Sequence, residues 1–136
     1  MTSVQRGYRG YIGSRRVRGE RTPQQVQNLV IRDYASRHGM AFKLSATEYA
    51  MPGCYMMLNA VIEELPTLDG VIVFSMFMLP SDETKRRRLY QDILGQGREL
   101  HAALENLSLR CVDDIGRFED ILRVNDFAAT EMPRAS

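Results

Sequence analysis

The sequence predicts an α/β domain: a three-layer sandwich around a four-stranded parallel sheet of order 2-1-3-4. Two observations carry that reading. Segments of strand character alternate with segments of helical periodicity in the order β-α-β-α-β-α-β-α, which calls for parallel strands joined by right-handed crossovers with helices on both faces. Residues 71–77 form a short, continuous apolar run bounded by turn residues, as expected of a central strand covered on both sides. The chain has 136 residues and no internal repeat, so one core is expected, in a single domain over residues 1–127. Residues 128–136 read as a loose tail, because Pro133 and its small polar neighbours offer nothing to bury.

Each element has its own signal. Residues 7–14 read as the first strand, in which Tyr8, Tyr11 and Ile12 favour extended backbone. A polar arginine-rich loop follows, and Thr22 then serves as N-cap, with Pro23 in the first helical position and Gln25 completing a capping box. Val26, Leu29, Val30 and Tyr34 continue at helical spacing up to His38 and the C-cap Gly39. Residues 41–48 form the second strand, and Met57, Leu58, Val61, Ile62 and Leu65 mark the second helix. Ser81 is expected to cap the third helix, whose basic run of Lys85 and Arg86 to Arg88 reads as a solvated face. Residues 100–104 supply the fourth strand, and Asp113 with Asp114 opens the last helix.

Composition excludes several classes. Eighteen basic against seventeen acidic residues leave a net charge of +1, so no global field gathers DNA or an anionic membrane, and nucleic acid is not expected as a partner. Cys54 and Cys111 make neither a metal spacing nor a disulfide scaffold, and no P-loop or dinucleotide fingerprint is present, so no metal or cofactor is expected. The longest apolar run, residues 71–79, is about half a membrane span, and the basic start is not followed by a signal-peptide apolar region. A soluble protein of the reducing cytoplasm is expected. Met51, Met56, Met57, Met76 and Met78 exceed what a core of this size usually needs, and part of this set is expected at a homodimer contact.

The layout resembles the catalytic domain of serine recombinases, the resolvases and invertases, over roughly residues 7–125. A Tyr-containing first strand ends in serine, a Gln-rich helix follows, and a central apolar strand precedes a last strand ending in Glu. The resemblance implies a resolvase-like, flavodoxin-like fold and puts Ser14 where that family has its nucleophile, given a one-residue slip after Tyr11. The arginine motif which that family places after its third strand is replaced here by Phe77-Met78-Leu79-Pro80-Ser81, and its second-helix arginine falls near Met57. A second resemblance rests on Gly10-Tyr11-Ile12-Gly13-Ser14-Arg15, on residues 45–58 through Pro52-Gly53-Cys54, and on Phe77-Met78-Leu79-Pro80. It is to the sporadic carbohydrate cluster proteins, and it implies a setting in bacterial surface-sugar biosynthesis without assigning catalytic residues.

In open parallel sheets ligands bind beyond the carboxyl ends of the strands, near the switch in strand order. That rule selects the loop after Ser14, where Arg15, Arg16 and Arg18 offer guanidinium forks to an anion beside a helix start. Ser75 joins them as an anion-binding residue. The alternative is a solvated or interface loop. Ser14 is a hydrogen-bond donor or a nucleophile, and Cys54 a dipole-activated thiol or a packed one. Glu48 and Glu105 end strands that flank the site, as an acid/base pair or as holders of the arginines. The leading expectation is a small enzyme of surface-carbohydrate biosynthesis acting on a small phosphorylated or carboxylated molecule. A scaffold subunit docking a sugar-biosynthesis enzyme and a degenerate recombinase-type nucleic-acid-binding domain are the alternatives.

Overall fold

A computed structural model describes the backbone of residues 6–14, 16–48 and 54–131, with side chains up to residue 125. Among these residues the elements run β1 (Tyr8–Gly13), α1 (Gln24–Arg37), β2 (Phe42–Glu48), α2 (Met56–Glu63), β3 (Gly70–Val73), α3 (Glu83–Gly95), β4 (Glu99–Ala102), β5 (Leu107–Leu109) and α4 (Asp113–Glu131). The sheet order is β2-β1-β3-β4-β5. The first four strands are parallel in the expected 2-1-3-4 arrangement, and β5 adds an antiparallel edge beyond β4. Leu107-Ser108-Leu109 is too short to announce a strand by alternation. It forms because Asn106 takes a positive φ of 54° and turns the chain back on β4.

The two faces of the sheet are covered by different helices. On one, Tyr34 of α1 reaches His101 of β4, and Asn28 accepts from Ser45 of β2. On the other, Tyr11 donates to Glu48, whose carboxylate also holds the start of α2. Every residue of β3 is buried, as a central strand requires. Gly70 is needed there, because a Cβ would strike the Glu99 carbonyl oxygen of β4.

Several boundaries differ from the sequence reading for identifiable reasons. The third strand stops at Val73 because the Ser75 hydroxyl accepts from Phe77 N at 3.2 Å and folds residues Met76–Met78 into a 3₁₀ turn. Asp82, not Ser81, caps α3, accepting from Lys85 N. No capping box forms at α1. Gln27 instead donates to the Gly13 and Thr22 carbonyls and accepts from Gly13 N, pinning the helix to the end of β1. The last helix continues to Glu131, past the point where a loose tail was expected. Met76 and Met78 fill the core, Met56 is exposed, and Met51 lies outside the described residues.

The basic run on α3 is not a uniformly solvated face. Arg86 is 6% exposed and meets Glu119 of α4 through two hydrogen bonds, Nη2 to Oε1 at 2.7 Å and Nε to Oε2 at 2.9 Å. Its Nη1 donates to the Pro80 and Ser81 carbonyls, and Tyr90 donates to Glu119. Burial alone would raise the Glu119 carboxyl, but Arg86 and Tyr90 outweigh it and hold it below its ordinary 4.5. Arg86→Met leaves a buried charge unpaired, and we expect a loss of about 3–5 kcal/mol by urea unfolding. Arg86→Met combined with Glu119→Leu should recover most of it. Because the Glu119 pKa is depressed in the folded state, its contribution is present above about pH 4.5 and fades as the pH falls further.

A second buried network lies on the α1 face. His101 is fully buried, with Nδ1 2.7 Å from the Tyr34 hydroxyl and Nε2 2.8 Å from Glu99, which also accepts from Tyr8. An ionised carboxylate only accepts, so Nε2 carries the proton and Nδ1 takes one from Tyr34, which describes a neutral imidazole. Burial lowers the His101 pKa below its ordinary 6.5 despite the pull of Glu99. A depressed folded-state pKa means that stability is full above about pH 6.5 and declines as the pH drops below it. The urea midpoint should fall between pH 8 and 5.5 in wild type and less in His101→Gln, which keeps one donor and one acceptor. A midpoint equally pH-dependent in both proteins would refute this assignment.

Candidate functional site

The loop between β1 and α1 is shaped by a tight turn. Val17 and Glu20 exchange both backbone hydrogen bonds, at 2.7 and 3.0 Å, around Arg18 and Gly19, which both have positive φ, 52° and 81°. The turn projects the Arg18 guanidinium to 5.0 Å from the centre of the Phe77 ring, and Arg16 is exposed beside it. Arg15 lies outside the described residues.

Arg18 borders a cleft of about 330 Å³ at the carboxyl ends of β1 and β3. Ser75 and Glu105 line it from the segments that follow β3 and β4, and Glu20 and Thr22 from the loop. Ser75 is fully buried and donates to Glu105 Oε2 at 2.6 Å, while Glu105 Oε1 accepts from Met76 N at 2.8 Å. This carboxylate therefore ties the end of β3 to the β4–β5 connection.

Glu48 and Cys54 gather elsewhere. The Glu48 carboxylate is fully buried at the start of α2, accepting from Met57 N and Leu58 N at 3.1 Å and from the Tyr11 hydroxyl at 2.9 Å. The Cys54 thiol points at Glu48 Oε1, 3.6 Å away. Ser14 meets this group through its backbone, donating to the Glu48 carbonyl at 3.3 Å. The strand-end residues thus form two clusters: Arg18, Ser75 and Glu105 around the cleft, and Glu48 with Cys54 at the N-terminus of α2. Glu20 and Thr22 had no pattern to mark them as cleft residues, since only the turn at Arg18 brings them there.

Two solved structures share this architecture. The N-terminal catalytic domain of TP901-1 integrase superposes with a TM-score of 0.56 at 14% identity, covering 90% of this chain and 97% of that one. A resolvase family site-specific recombinase from Streptococcus pneumoniae gives a TM-score of 0.61 at 12% identity over 90% and 91% of the two chains. The fold is resolvase-like. No protein-family model matches the sequence, and no curated protein does. These neighbours correct the reading as a surface-carbohydrate enzyme or its scaffold, because both are named for integration or recombination and neither for a sugar. The expectation of a small phosphorylated or carboxylated partner, with nucleic acid excluded, falls with it. Net charge misled there, because a balanced total says nothing of where the arginines lie. Among the described residues no helix is long and apolar enough to cross a membrane, and no His, Cys, Asp and Glu cluster could hold a metal.

The start of α2 can be probed through Glu48. Glu48→Gln keeps the side-chain shape but sets an amide donor among the α2 N–H groups, and we expect a loss of about 2 kcal/mol. Urea unfolding with an unchanged slope would measure it; a midpoint equal to wild type would mean that α2 does not depend on this cap.

Proposed function

We propose that this domain binds the phosphate backbone of nucleic acid through the arginines of the β1–α1 loop without cutting the strand. The observation that carries this reading is an exposed arginine turn at the strand ends, where the acids Glu48 and Glu105 are turned inward and Glu20 of the same turn is exposed. Arg16 and Arg18 are exposed on the loop, whereas Glu48 and Glu105 spend their carboxylate oxygens on Tyr11, Ser75 and backbone N–H groups. Guanidinium forks match phosphate oxygens in pairs. Arg15 and the Ser14 hydroxyl complete the donor set of the proposal.

The segment after β3 supports the absence of strand cleavage. Met78 and Leu79 are buried there, in the stretch that replaces the recombinase arginine motif, and a transferring phosphoryl group needs such cations to stabilise its charge. We also infer kinship, with no activity attached, with the sporadic carbohydrate cluster proteins from the wording of residues 45–58.

Fluorescence anisotropy of labelled duplex DNA tests the reading. We expect dissociation constants of about 10⁻⁴ to 10⁻⁶ M near physiological salt, weakening linearly on a log-log salt plot. Arg16→Ala and Arg18→Ala should each reduce the salt slope by about one, with no change in melting temperature. Absent binding, or slopes that ignore both substitutions, would send the arginines back to an interface. Nicked product that disappears in Ser14→Ala would instead establish cleavage and overturn the non-catalytic half of the proposal.

A further inference from the structure

Arg18 borders a second, smaller cleft of about 180 Å³, walled by the segment after β3, by α3 and by α4. Phe77, Pro80 and Leu122 give it apolar walls, and Ser81 and Asn125 add a hydroxyl and an amide, which between them can donate and accept. Arg86 also reaches it, but that guanidinium is committed to Glu119 and to the Pro80 and Ser81 carbonyls. Arg18 is exposed, lies over the Phe77 ring at 5.0 Å from its centre, and has no ion-pair partner among the described residues.

A phosphate contact accounts for the charge of Arg18 but not for its surroundings. Phosphate oxygens need only the N–H edge of a guanidinium. The Phe77 ring and the apolar walls beside it do nothing for a phosphate and suit a flat, weakly polar group instead. Size narrows the choice. Clefts that enclose whole small molecules measure about 300–1,000 Å³, so this one takes part of a ligand, a ring whose sugar and phosphate stay outside. An unpaired nucleobase is such a part: its face can stack on the guanidinium plane that Phe77 backs, and its polar edge can meet Ser81 and Asn125. In a duplex the bases are paired and stacked on one another, which leaves the cleft unused.

We propose that Arg18 and Phe77 form a stacking platform for one unpaired base, so that the domain holds single-stranded nucleic acid by a base as well as by phosphates. This rests on the phosphate-binding reading of the β1–α1 loop and adds the kind of strand it selects. Arg18 then acts twice: its N–H edge meets phosphate on either kind of strand, and its face meets a base only where that base is free.

Fluorescence anisotropy with a thymine oligonucleotide, an abasic strand of the same length and a duplex tests this. The first two carry the same phosphates, so their ratio isolates the bases. We expect the thymine strand to bind about 10-fold more tightly than the abasic one, within the range of one base stacked on a side chain. Arg18→Lys keeps the charge but loses the flat face and should bring that ratio to about one. Phe77→Leu keeps apolar bulk without the ring and should lower the ratio too, with its melting temperature reporting that the domain is folded; if it does not fold, Arg18→Lys decides. Arg16→Ala should weaken both strands and leave the ratio as in wild type. Equal binding of thymine and abasic strands by wild type overturns the proposal, as does a thymine preference that survives Arg18→Lys. Duplex and abasic binding without a thymine preference sinks the platform alone, whereas no binding of either sinks the phosphate reading of the loop and this proposal with it.

Discussion

Glu48 has no contact with solvent, and its carboxylate stays buried because the first N–H groups of α2 and the Tyr11 hydroxyl all donate to it. A parallel sheet creates this demand. Each strand must hand the chain to a helix that begins with unpaired N–H groups, and in a dry layer those donors need acceptors from the protein itself. Glu105 meets the same demand at the 3₁₀ turn after β3, with Ser75 as its second partner. The two acids thus anchor the connections that follow β2 and β3, the neighbours of β1. What is left to face outward at the switch in strand order is the arginine turn.

Buried charge is handled by pairing throughout the domain. Arg86 and Glu119 lock α3 to α4, and the bidentate geometry together with Tyr90 and two backbone carbonyls satisfies nearly every donor and acceptor of the pair. On the opposite face His101 joins Tyr34 to Glu99 and so ties α1 to β4. The basic run of α3 divides according to helical geometry: Arg86 points into the α4 contact, while Lys85 and Arg88, on another side of the helix, line a cleft between α2 and α3. One stretch of four cations thus supplies a buried clamp and part of an exposed cleft wall.

On the proposed reading, resolvase-like architecture and recombinase chemistry come apart in this chain. The architecture follows from the alternation of strands and helices and from a fully buried β3, and it matches two recombinase-type structures along most of their length. The chemistry would need cations at the end of β3, where this sequence places Met76, Met78 and Leu79 in the core. Fold and activity are separate properties for this reason: the fold depends on the pattern of apolar positions, and the activity on a few polar side chains at strand ends.

The sequence by itself determined the 2-1-3-4 order, the central place of β3 and the helix bodies. All of these depend on periodicity and on strand-end topology, which are written locally along the chain. Only the tertiary structure decided the partners. Tyr8 and Glu99 bond across 91 residues, Arg86 and Glu119 across 33, and Ser75 and Glu105 across 30. No local pattern distinguishes a carboxylate that will cap a helix from one that will meet a ligand, so Glu48 and Glu105 read alike as site residues. The β5 edge and the Gln27 anchor were illegible for the same reason: a three-residue strand and one amide among several on α1 acquire their identity from what packs against them.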